Sequence, residues 1–247
     1  MNPVVLITGG SRGIGAAVVT RAAAAGWNVC LTYRGDEATA HDLVARARAA
    51  GVDALAVRAD VAVEADVEAA FAAADAMGPL AGVVANAGVV VPKARVDTMT
   101  AQRVADVLAV NVVGAVVTCR EAVRRLSTAH RGAGGSIVLV SSAAARLGAP
   151  GEYVDYAASK AAVDTLGTGL AKEVAGEGVR VNVVRPGIID TDIHASGGQP
   201  DRVARIGPAV PVGRAGTADE VAAAVTWLLS DEASYCTGSV LDIAGGR

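Results

Sequence analysis

Tyr156 and Lys160 have the residue types and the spacing that proton transfer needs. Four positions separate them within an apolar stretch of helical composition. On an α-helix this spacing places two side chains on one face, roughly 5–6 Å apart at Cβ, where an ammonium favours the ionised form of a phenol. We therefore expect Lys160 to lower the pKa of Tyr156 from its usual value of about 10. An isolated pair of this kind is more often a packing tyrosine beside a surface lysine.

A glycine-rich turn near the start of the chain gives the pair a context. The run Thr8 to Gly15 joins the first predicted strand to the first predicted helix. Its glycines stand where a tight turn and a close backbone approach to a pyrophosphate require them, and the helix N-terminus faces the phosphates. Alone, such a cluster can be no more than a strand–helix turn. The cofactor contacts predicted here are Gly9, Ser11, Arg12, Gly13, Ile14 and Gly15.

The end of the second predicted strand bears on which nicotinamide cofactor would bind. An acidic side chain there would hold the ribose 2′-hydroxyl of NAD(H), but this strand ends in Tyr33 and Arg34. Arg34 and Arg12 could together clamp a 2′-phosphate, because guanidinium groups match phosphate geometry. We predict NADP(H) as the cofactor in preference to NAD(H). Each arginine could instead be a solvated surface charge.

Polar and small residues follow the next two strands. Asp60 and Val61 come after the third strand, where the Asp60 carboxylate either accepts a hydrogen bond from the adenine amino group or caps the following helix. Asn86, Ala87 and Gly88 come after the fourth strand. Small residues there let the backbone approach the cofactor ribose, and a plain turn is the alternative.

An amide and two hydroxyls are further candidates for the reacting centre. Asn111 lies in an apolar helical stretch, where a buried amide needs partners; it either belongs to a proton relay or fills a helix kink. Ser141 and Ser142 close the fifth strand. Successive strand side chains alternate in direction, so one hydroxyl would face the cofactor and the other would point away.

Short apolar runs alternate with alanine-rich helical stretches along the whole chain. This alternation predicts right-handed βαβ units, and therefore an α/β fold with a parallel sheet covered by helices on both faces. The predicted strands are Val4–Thr8, Val29–Tyr33, Ala54–Arg58, Gly82–Ala85, Ser136–Ser141, Val179–Val184 and Ser239–Ile243. The predicted helices are Gly13–Ala25, Glu37–Ala50, Glu64–Met77, Ala101–Leu126, Val154–Ala175 and Ala218–Leu229.

We expect residues 1–247 to form one domain, because open α/β sheets often reach this size as one unit. The stretch Arg185 to Gly213 is rich in glycine and proline and follows the sixth strand at the carboxyl edge, where such sheets bind ligands. It predicts a mobile lid over about residues 188–213.

Composition excludes several other classes of function. The net charge is −3 and basic residues are scattered, which argues against nucleic acid or an anionic membrane as a partner. Three distant cysteines and three distant histidines predict no metal site and no disulfide framework, and favour a cytoplasmic location. The start of the chain lacks a signal peptide pattern. The most apolar stretch, Val104 to Cys119, is interrupted by Asp106 and Asn111 and is too short for a comfortable membrane crossing.

Taken together, these residues resemble the short-chain dehydrogenase/reductase family over nearly the whole chain. The resemblance rests on the TGGSRGIG turn, the Tyr156-x-x-x-Lys160 pair and the run Pro186 to Thr191, with Asp60, Asn86-Ala87-Gly88, Asn111 and Ser142. The branch it is similar to contains 3-oxoacyl-carrier-protein reductases and glucose dehydrogenases, and an uncharacterised bacterial oxidoreductase group.

The resemblance implies a Rossmann-type sheet of seven strands and a homotetramer. Its interfaces would use the helices Ala101–Leu126 and Val154–Ala175 and the C-terminal strand. It also implies that Asn111, Ser142, Tyr156 and Lys160 act together, and it selects Ser142 over Ser141. The further cofactor contacts that it implies are Tyr156, Lys160, Pro186, Gly187, Ile189 and Thr191.

The function expected from this resemblance is hydride transfer between NADP(H) and a small carbonyl or alcohol, with Tyr156 as general acid and base. A 3-oxoacyl thioester is an alternative substrate, and a non-catalytic NADP(H)-binding sensor or scaffold is an alternative function. The expected substrate wall is Ala143 to Tyr153 with Ile188 to Gly198. Arg146 in this wall either meets an anionic substrate or lies in solvent. No cation is expected beside Tyr153, because Ala157 stands four positions further on.

Overall fold

The computed structural model describes residues 2–247, and these form nine strands. They are β1 (Val4–Ile7), β2 (Asn28–Tyr33), β3 (Ala54–Arg58), β4 (Leu80–Ala85), β5 (Gly135–Val140), β6 (Val179–Pro186), β7 (Ile189–Asp190), β8 (Gly216–Thr217) and β9 (Val240–Ile243). Seven of them make one parallel sheet in the order β3-β2-β1-β4-β5-β6-β9, while β7 and β8 pair with each other. The predicted Rossmann-type sheet of seven parallel strands is confirmed.

Helices cover both faces of this sheet. They are α1 (Gly13–Ala24), α2 (Glu37–Ala49), α3 (Glu64–Met77), α4 (Ala101–Leu108), α5 (Gly114–Leu126), α6 (Ala144–Leu147), α7 (Val154–Val174), α8 (Ile193–Ser196), α9 (Arg202–Ile206) and α10 (Ala218–Leu229). The alternation of strand side chains divides the core into two layers. In β1, Val5 and Ile7 pack with α1, α2 and α10, whereas Val4 and Leu6 pack with α3, α5 and α7.

The strand order places a crevice at the carboxyl edge of the sheet. The chain runs outward from β1 to β3 and then crosses to β4 on the other side of β1. The connections after β1 and β4 therefore leave in opposite directions, and ligands of open α/β sheets bind at such a point. The glycine-rich turn follows β1, and Asn86-Ala87-Gly88 follows β4, so both lie at this crevice.

The predicted helix Ala101–Leu126 is interrupted by a π-helical turn over Ala109–Val113. The segment between β3 and α3 packs closely against this interruption. A Cβ on Gly114 would lie 2.8 Å from Val61 Cγ2. By length and composition alone the run Ala101–Leu126 is long and apolar enough to cross a membrane, whereas our expectation considered only the shorter apolar stretch within it. Its inner side chains, including Val117, Ala122 and Leu126, belong to the core of the sheet layer.

The predicted lid contains β7, α8 and α9 and is fastened to the start of α7. The Tyr153 hydroxyl donates to the carbonyl oxygen of Gly197 at 3.0 Å. Arg202 Nη1 lies 2.8 Å from Glu152 Oε2, and the Arg202 guanidinium lies 5.5 Å from the Tyr153 ring centroid. The expectation that no cation stands beside Tyr153 is therefore wrong, because the cation comes from a distant segment rather than from the same helix.

Candidate active site

A cleft of about 910 Å³ opens at the carboxyl edge of the sheet. Its glycine end is formed by the turn after β1 and the end of β2, and its lid end by α6, the start of α7 and the lid. All the predicted site residues line this cleft except Gly15 and Asn111, which lie directly behind lining residues. The fold therefore gathers into one cavity residues that are dispersed along the chain.

The shape of the glycine-rich turn is fixed by its own backbone conformation and by hydrogen bonds from Asn86, which follows β4. Gly9 and Gly13 have φ values of +62° and +54°, in the left-handed region that favours glycine. A Cβ on Gly15 would lie 2.4 Å from the Gly9 carbonyl oxygen, so only glycine fits there. The Asn86 side-chain amide donates to the carbonyl oxygens of Thr8 and Gly9, at 2.9 and 3.0 Å. Asn86 thus shapes the turn, beyond the role of a small residue near a ribose that the sequence suggested.

The charges at the glycine end include one carboxylate that we did not predict. Arg12 is exposed at the start of α1, and the Arg34 side chain is 67% exposed. Asp36 lines the same end and caps α2 through Thr39. Hydrogen bonds from the Thr39 hydroxyl and backbone lower the pKa of Asp36, with a smaller contribution from the charge of Arg12. Thr39 supplies the hydrogen bonds of Asp36, and both guanidinium groups belong to the lining of this end of the cleft.

The Asp60 carboxylate combines features of its two predicted roles, which were to accept a hydrogen bond from the adenine amino group and to cap the following helix. Its Oδ1 accepts a hydrogen bond from the backbone N–H of Ala62 at 3.0 Å, which forms a turn before α3, but the residue at the N-cap of α3 is Val63. Its Oδ2 lies 3.9 Å from Arg34 Nη1 and faces the cleft. The carboxylate therefore has one oxygen used by the turn and another available to a ligand.

Tyr156 and Lys160 lie in the first two turns of α7, and both face the cleft. Lys160 is 4% exposed, and its Nζ donates to the carbonyl oxygen of Val140 at 2.8 Å. The same Nζ lies 5.9 Å from the Tyr156 ring centroid. A Cβ on Gly88 would lie 3.2 Å from Lys160 Nζ, so the small residue after β4 leaves room for the ammonium.

The two serines after β5 point in different directions. The Ser141 hydroxyl is buried and donates to the backbone carbonyl of Lys160 at 3.0 Å, which fixes α7 against the strand. Ser142 is partly exposed to the cleft, and its hydroxyl accepts from the backbone N–H of Ala144 at 3.1 Å. That contact leaves the Ser142 hydroxyl proton free, and Ser142 lies close enough to the Tyr156 hydroxyl to act on its pKa. This geometry agrees with the choice of Ser142 over Ser141.

Asn111 stands at the centre of the π-helical turn and is 1% exposed. Its Oδ1 accepts from the backbone N–H of Val89 at 2.8 Å, and its Nδ2 donates to the Val89 carbonyl and to the Ser159 hydroxyl, both at 3.0 Å. The amide thus joins the segment after β4 to α7. π-helical turns are rare and often occur at functional sites. Both interpretations of Asn111, the helix irregularity and the link to the site, meet in this residue.

Burial controls the protonation of the central pair. It lowers the pKa of Lys160 to about 8, against the opposing charge of Asp164. It also raises the pKa of Tyr156, while the hydrogen bond with Ser142 acts in the opposite direction. The direction for Tyr156 is opposite to the lowering that we expected, because loss of hydration outweighs the effect of Ser142, and the Lys160 ammonium donates to Val140 instead of to the phenol.

The lowered Lys160 pKa predicts that binding of the expected cofactor, NADPH, weakens as the pH rises through about 8. Lys160 is mostly protonated below that pH and mostly neutral above it. We expect the Kd for NADPH to rise about three- to tenfold between roughly pH 7 and pH 9.5, as charge-assisted hydrogen bonds become neutral ones. Titration followed by NADPH fluorescence at constant ionic strength measures this change.

Two variants on the same helix provide the comparison for this pH profile. Lys160→Met should bind NADPH more weakly, with no inflection near pH 8. Lys172→Met removes an exposed lysine near the end of α7 and should keep the wild-type profile. A wild-type Kd for NADPH that does not change over this pH range contradicts the assignment of Lys160 to cofactor binding.

Two arginines at the lid end of the cleft, in the same lining as His194, were not predicted to bind a ligand. His194 Nε2 lies 2.9 Å from the Ile189 carbonyl oxygen, and burial lowers the His194 pKa, so the ring is neutral near pH 7. Arg202 and Arg247 also line this end, whereas Arg146 is exposed and bonds the Arg247 carbonyl. His194 stood in the expected substrate wall, but no local pattern distinguished the two arginines.

Comparison with known proteins agrees with this site. A family model described as enoyl-(acyl carrier protein) reductase matches residues 9–247. The chain is 50% identical over 245 residues to the uncharacterized oxidoreductase YgfF of Escherichia coli K12, covering 99% of each chain. This chain belongs to the short-chain dehydrogenase/reductase family, whose members are oxidoreductases that bind nicotinamide cofactors.

Two solved structures show how closely the fold is shared. A short-chain dehydrogenase of Burkholderia cenocepacia J2315 in complex with NADP has a TM-score of 0.89 and 34% identity, covering 99% of this chain and 97% of that one. A 3-ketoacyl-(acyl-carrier-protein) reductase of Brucella melitensis complexed with NADH has a TM-score of 0.91 and 30% identity, covering 99% and 98%. Similar folds therefore occur with either cofactor.

Proposed function

We propose that this protein is an NADP(H)-dependent oxidoreductase that transfers hydride between the nicotinamide and a small carbonyl or alcohol substrate. The observation that carries the proposal is the convergence of Ser142, Tyr156 and Lys160 in the cleft that the glycine-rich turn also lines. A dinucleotide laid along the cleft would have its phosphates at that turn and its reactive ring near Tyr156.

The residues at the glycine end fit the adenosine half of NADP(H). A Cβ at Gly9 would lie 3.0 Å from Ala87 Cα, and a Cβ at Gly15 would lie 2.4 Å from the Gly9 carbonyl oxygen. Neither position has room for a side chain. Backbone N–H groups can therefore approach a pyrophosphate. Arg12 and Arg34 supply two guanidinium groups for a 2′-phosphate. Since relatives of this fold bind NADP or NADH, the choice of NADP(H) is supported by these two arginines.

Tyr156 would move the proton. When bound, the nicotinamide gives hydride to the substrate carbon in reduction or takes it in oxidation. In the reducing direction the Tyr156 hydroxyl donates its proton to the substrate oxygen as negative charge develops there. The raised Tyr156 pKa keeps the phenol protonated at neutral pH, which suits a proton donor. The free Ser142 hydroxyl would orient the same oxygen.

Other residues would hold the nicotinamide half and resupply the proton. Lys160 would donate to the ribose hydroxyls and, while protonated, favour the ionised form of Tyr156. The Ile189 backbone and the Thr191 hydroxyl would fix the carboxamide and expose one ring face. Asn111 would anchor a water that returns a proton through Lys160. Its contacts to Val89 and Ser159 hold it rigidly behind the site.

A substrate panel tests the proposed function directly. Aldehydes, ketones, oxo sugars and 3-oxoacyl thioesters are supplied with NADPH, and the matching alcohols with NADP⁺, while cofactor absorbance is followed. We expect turnover of at least one member in each direction, with NADPH used better than NADH. Tight NADPH binding without turnover of any member would favour a non-catalytic sensor instead.

We further infer a cytoplasmic homotetramer, as in the family that the sequence resembles. Apolar side chains stay exposed on the predicted interface elements, with Val113 and Val116 on the π turn and α5, and Leu241 on β9. Cys30 and Cys119 are buried free thiols, and burial raises the pKa of each to about 12. Unreactive thiols are typical of a reducing compartment. Light scattering after size-exclusion chromatography measures the assembly.

A further inference from the structure

The lid end of the cleft combines apolar side chains with two guanidinium groups, and the Glu152 and Asp192 carboxylates also belong to its lining. Its apolar lining includes Leu147, Ile188 and Ile206. Arg202 and Arg247 enter the same lining from different parts of the chain. Guanidinium groups in an apolar cavity are costly unless another group compensates the charge and the hydrogen-bond donors.

Arg202 already has its compensation. Its side chain is 11% exposed, and its Nη1 lies 2.8 Å from Glu152 Oε2, although the angle there is not that of a hydrogen bond. The guanidinium also lies over the Tyr153 ring at 5.5 Å from the centroid, a favourable cation–π position. Its charge is therefore balanced by residues that lie just before α7.

Arg247 has no such balance among residues 2–247. Its Nη1 is buried without a hydrogen-bond partner, and no Asp or Glu of the described residues forms a salt bridge with its guanidinium. An unsatisfied buried donor costs about 1–3 kcal/mol, and more when charged. Such a group indicates a ligand that supplies an acceptor.

The backbone places Arg247 on the reacting side of the cleft. Gly245 and Gly246, with φ values of +62° and +87°, turn the chain after β9. The Arg247 carbonyl oxygen then accepts a hydrogen bond from Arg146 Nη2 at 2.6 Å, which holds the residue against α6. Since α6 begins two residues after Ser142, this contact joins Arg247 to the segment that follows Ser142.

We propose that Arg247 is a specificity residue that binds the carboxylate of an oxo acid or hydroxy acid substrate. This inference rests on the proposed function and adds a substrate class to it. A guanidinium presents parallel N–H donors that match a carboxylate, and the apolar lining suits a hydrocarbon chain between the carboxylate and the reacting carbonyl. The sequence suggested Arg146 as the residue that meets an anionic substrate. We assign that role to Arg247 instead.

Matched acids and esters test the proposal. The substrates are 4-oxopentanoate, 5-oxohexanoate and 6-oxoheptanoate, each with its methyl ester, and NADPH oxidation is followed. We expect the best acid to exceed its ester at least about tenfold in kcat/KM, the scale of one charge-assisted pair. Arg247→Gln should reduce this acid-to-ester ratio at least about fivefold.

Control variants separate the effect of removing Arg247 from the effect of removing any positive charge. Arg46→Gln removes an exposed arginine on α2, outside the cleft, and should keep the wild-type ratio. Binding of hexanoate to the NADP⁺ complex, measured by calorimetry, should weaken about tenfold in Arg247→Gln, while the Kd for NADP⁺ stays within about twofold. The Tm of each variant reports whether it is folded.

The outcomes distinguish this inference from the proposed function. Esters used as well as acids, or an acid-to-ester ratio unchanged by Arg247→Gln, overturns the role of Arg247 and leaves the oxidoreductase activity standing. Loss of the ratio in Arg202→Gln but not in Arg247→Gln also overturns it. Failure of every acid and ester, together with failure of the broad carbonyl panel, overturns the proposed function itself.

Discussion

Replacing Tyr156 with phenylalanine should lower kcat at least about 100-fold, the usual contribution of a general acid. The ring stays, so the wall of the cleft and the position of Lys160 should be preserved. Only the hydroxyl that would donate to the substrate oxygen is removed. Steady-state kinetics with the best substrate of the panel measures the loss, and the Kd for NADPH should remain within about twofold because the phenol is not required to bind the phosphates.

A matched tyrosine elsewhere is the control for this experiment. Tyr235 is fully exposed at 101%, and Tyr235→Phe should leave kcat and the Kd for NADPH unchanged. Near-normal turnover in Tyr156→Phe would show that another group supplies the proton. A parallel loss of kcat and of cofactor binding would instead indicate a damaged fold, which the Tm of the variant would reveal.

Replacing Arg34 with aspartate should shift cofactor preference towards NAD(H). The wild type should use NADPH better than NADH, and the ratio of the two kcat/KM values should fall at least about tenfold, and up to about 100-fold. A hydrogen bond from a charged donor is worth about 1.5–3 kcal/mol, and the new carboxylate would repel a phosphate while accepting from a ribose hydroxyl. Parallel kinetics with both cofactors gives the ratio.

The control for Arg34→Asp is the same change at an exposed arginine on α2, Arg46→Asp. It alters the net charge equally and should leave the ratio unchanged. A wild-type enzyme that prefers NADH would refute the assignment, as would an Arg34→Asp variant with the wild-type ratio. Asp36, which lines the same end of the cleft, would then be the candidate ligand of the ribose.

Much of the architecture could be predicted because the sheet is buried on both faces. Such strands appear as continuous apolar runs, and each predicted run corresponds to a strand of the sheet within a few residues. The helix boundaries also agree closely, since α3 and α10 begin and end at the predicted residues. Turn residues after β1, β4 and β5 were then sufficient to place most of the site.

The π-helical turn and the protonation of Tyr156 could not be predicted. A π turn leaves no distinct pattern in composition, so Asn111 was visible only as a polar residue in an apolar stretch. Spacing showed that a lysine stands beside Tyr156, which favours a lower pKa. It did not show how much surrounding protein removes water from the phenol, and that burial raises the pKa.

The lid end escaped prediction because its contacts join distant segments. Arg202 stacks on Tyr153 although nearly fifty residues separate them, and a pattern of helical spacing cannot detect such a pair. Arg247 follows two glycines whose left-handed backbone turns it into the cleft. Arg202 lies on a short helix of the lid and Arg247 after the last strand, whereas Tyr156 and Lys160 lie on the long helix α7, whose spacing is visible in the sequence.

The hydrogen bonds between the end of β5 and α7 affect how kinetic losses combine. Lys160 Nζ is bonded to the carbonyl of Val140, the Ser141 hydroxyl is bonded to the carbonyl of Lys160, and Ser142 contacts Tyr156. A substitution at Lys160 thus also loosens the strand end that presents Ser142. The losses of activity in the single variants are therefore not independent of one another. A double-mutant cycle is needed to measure the coupling between two of these residues.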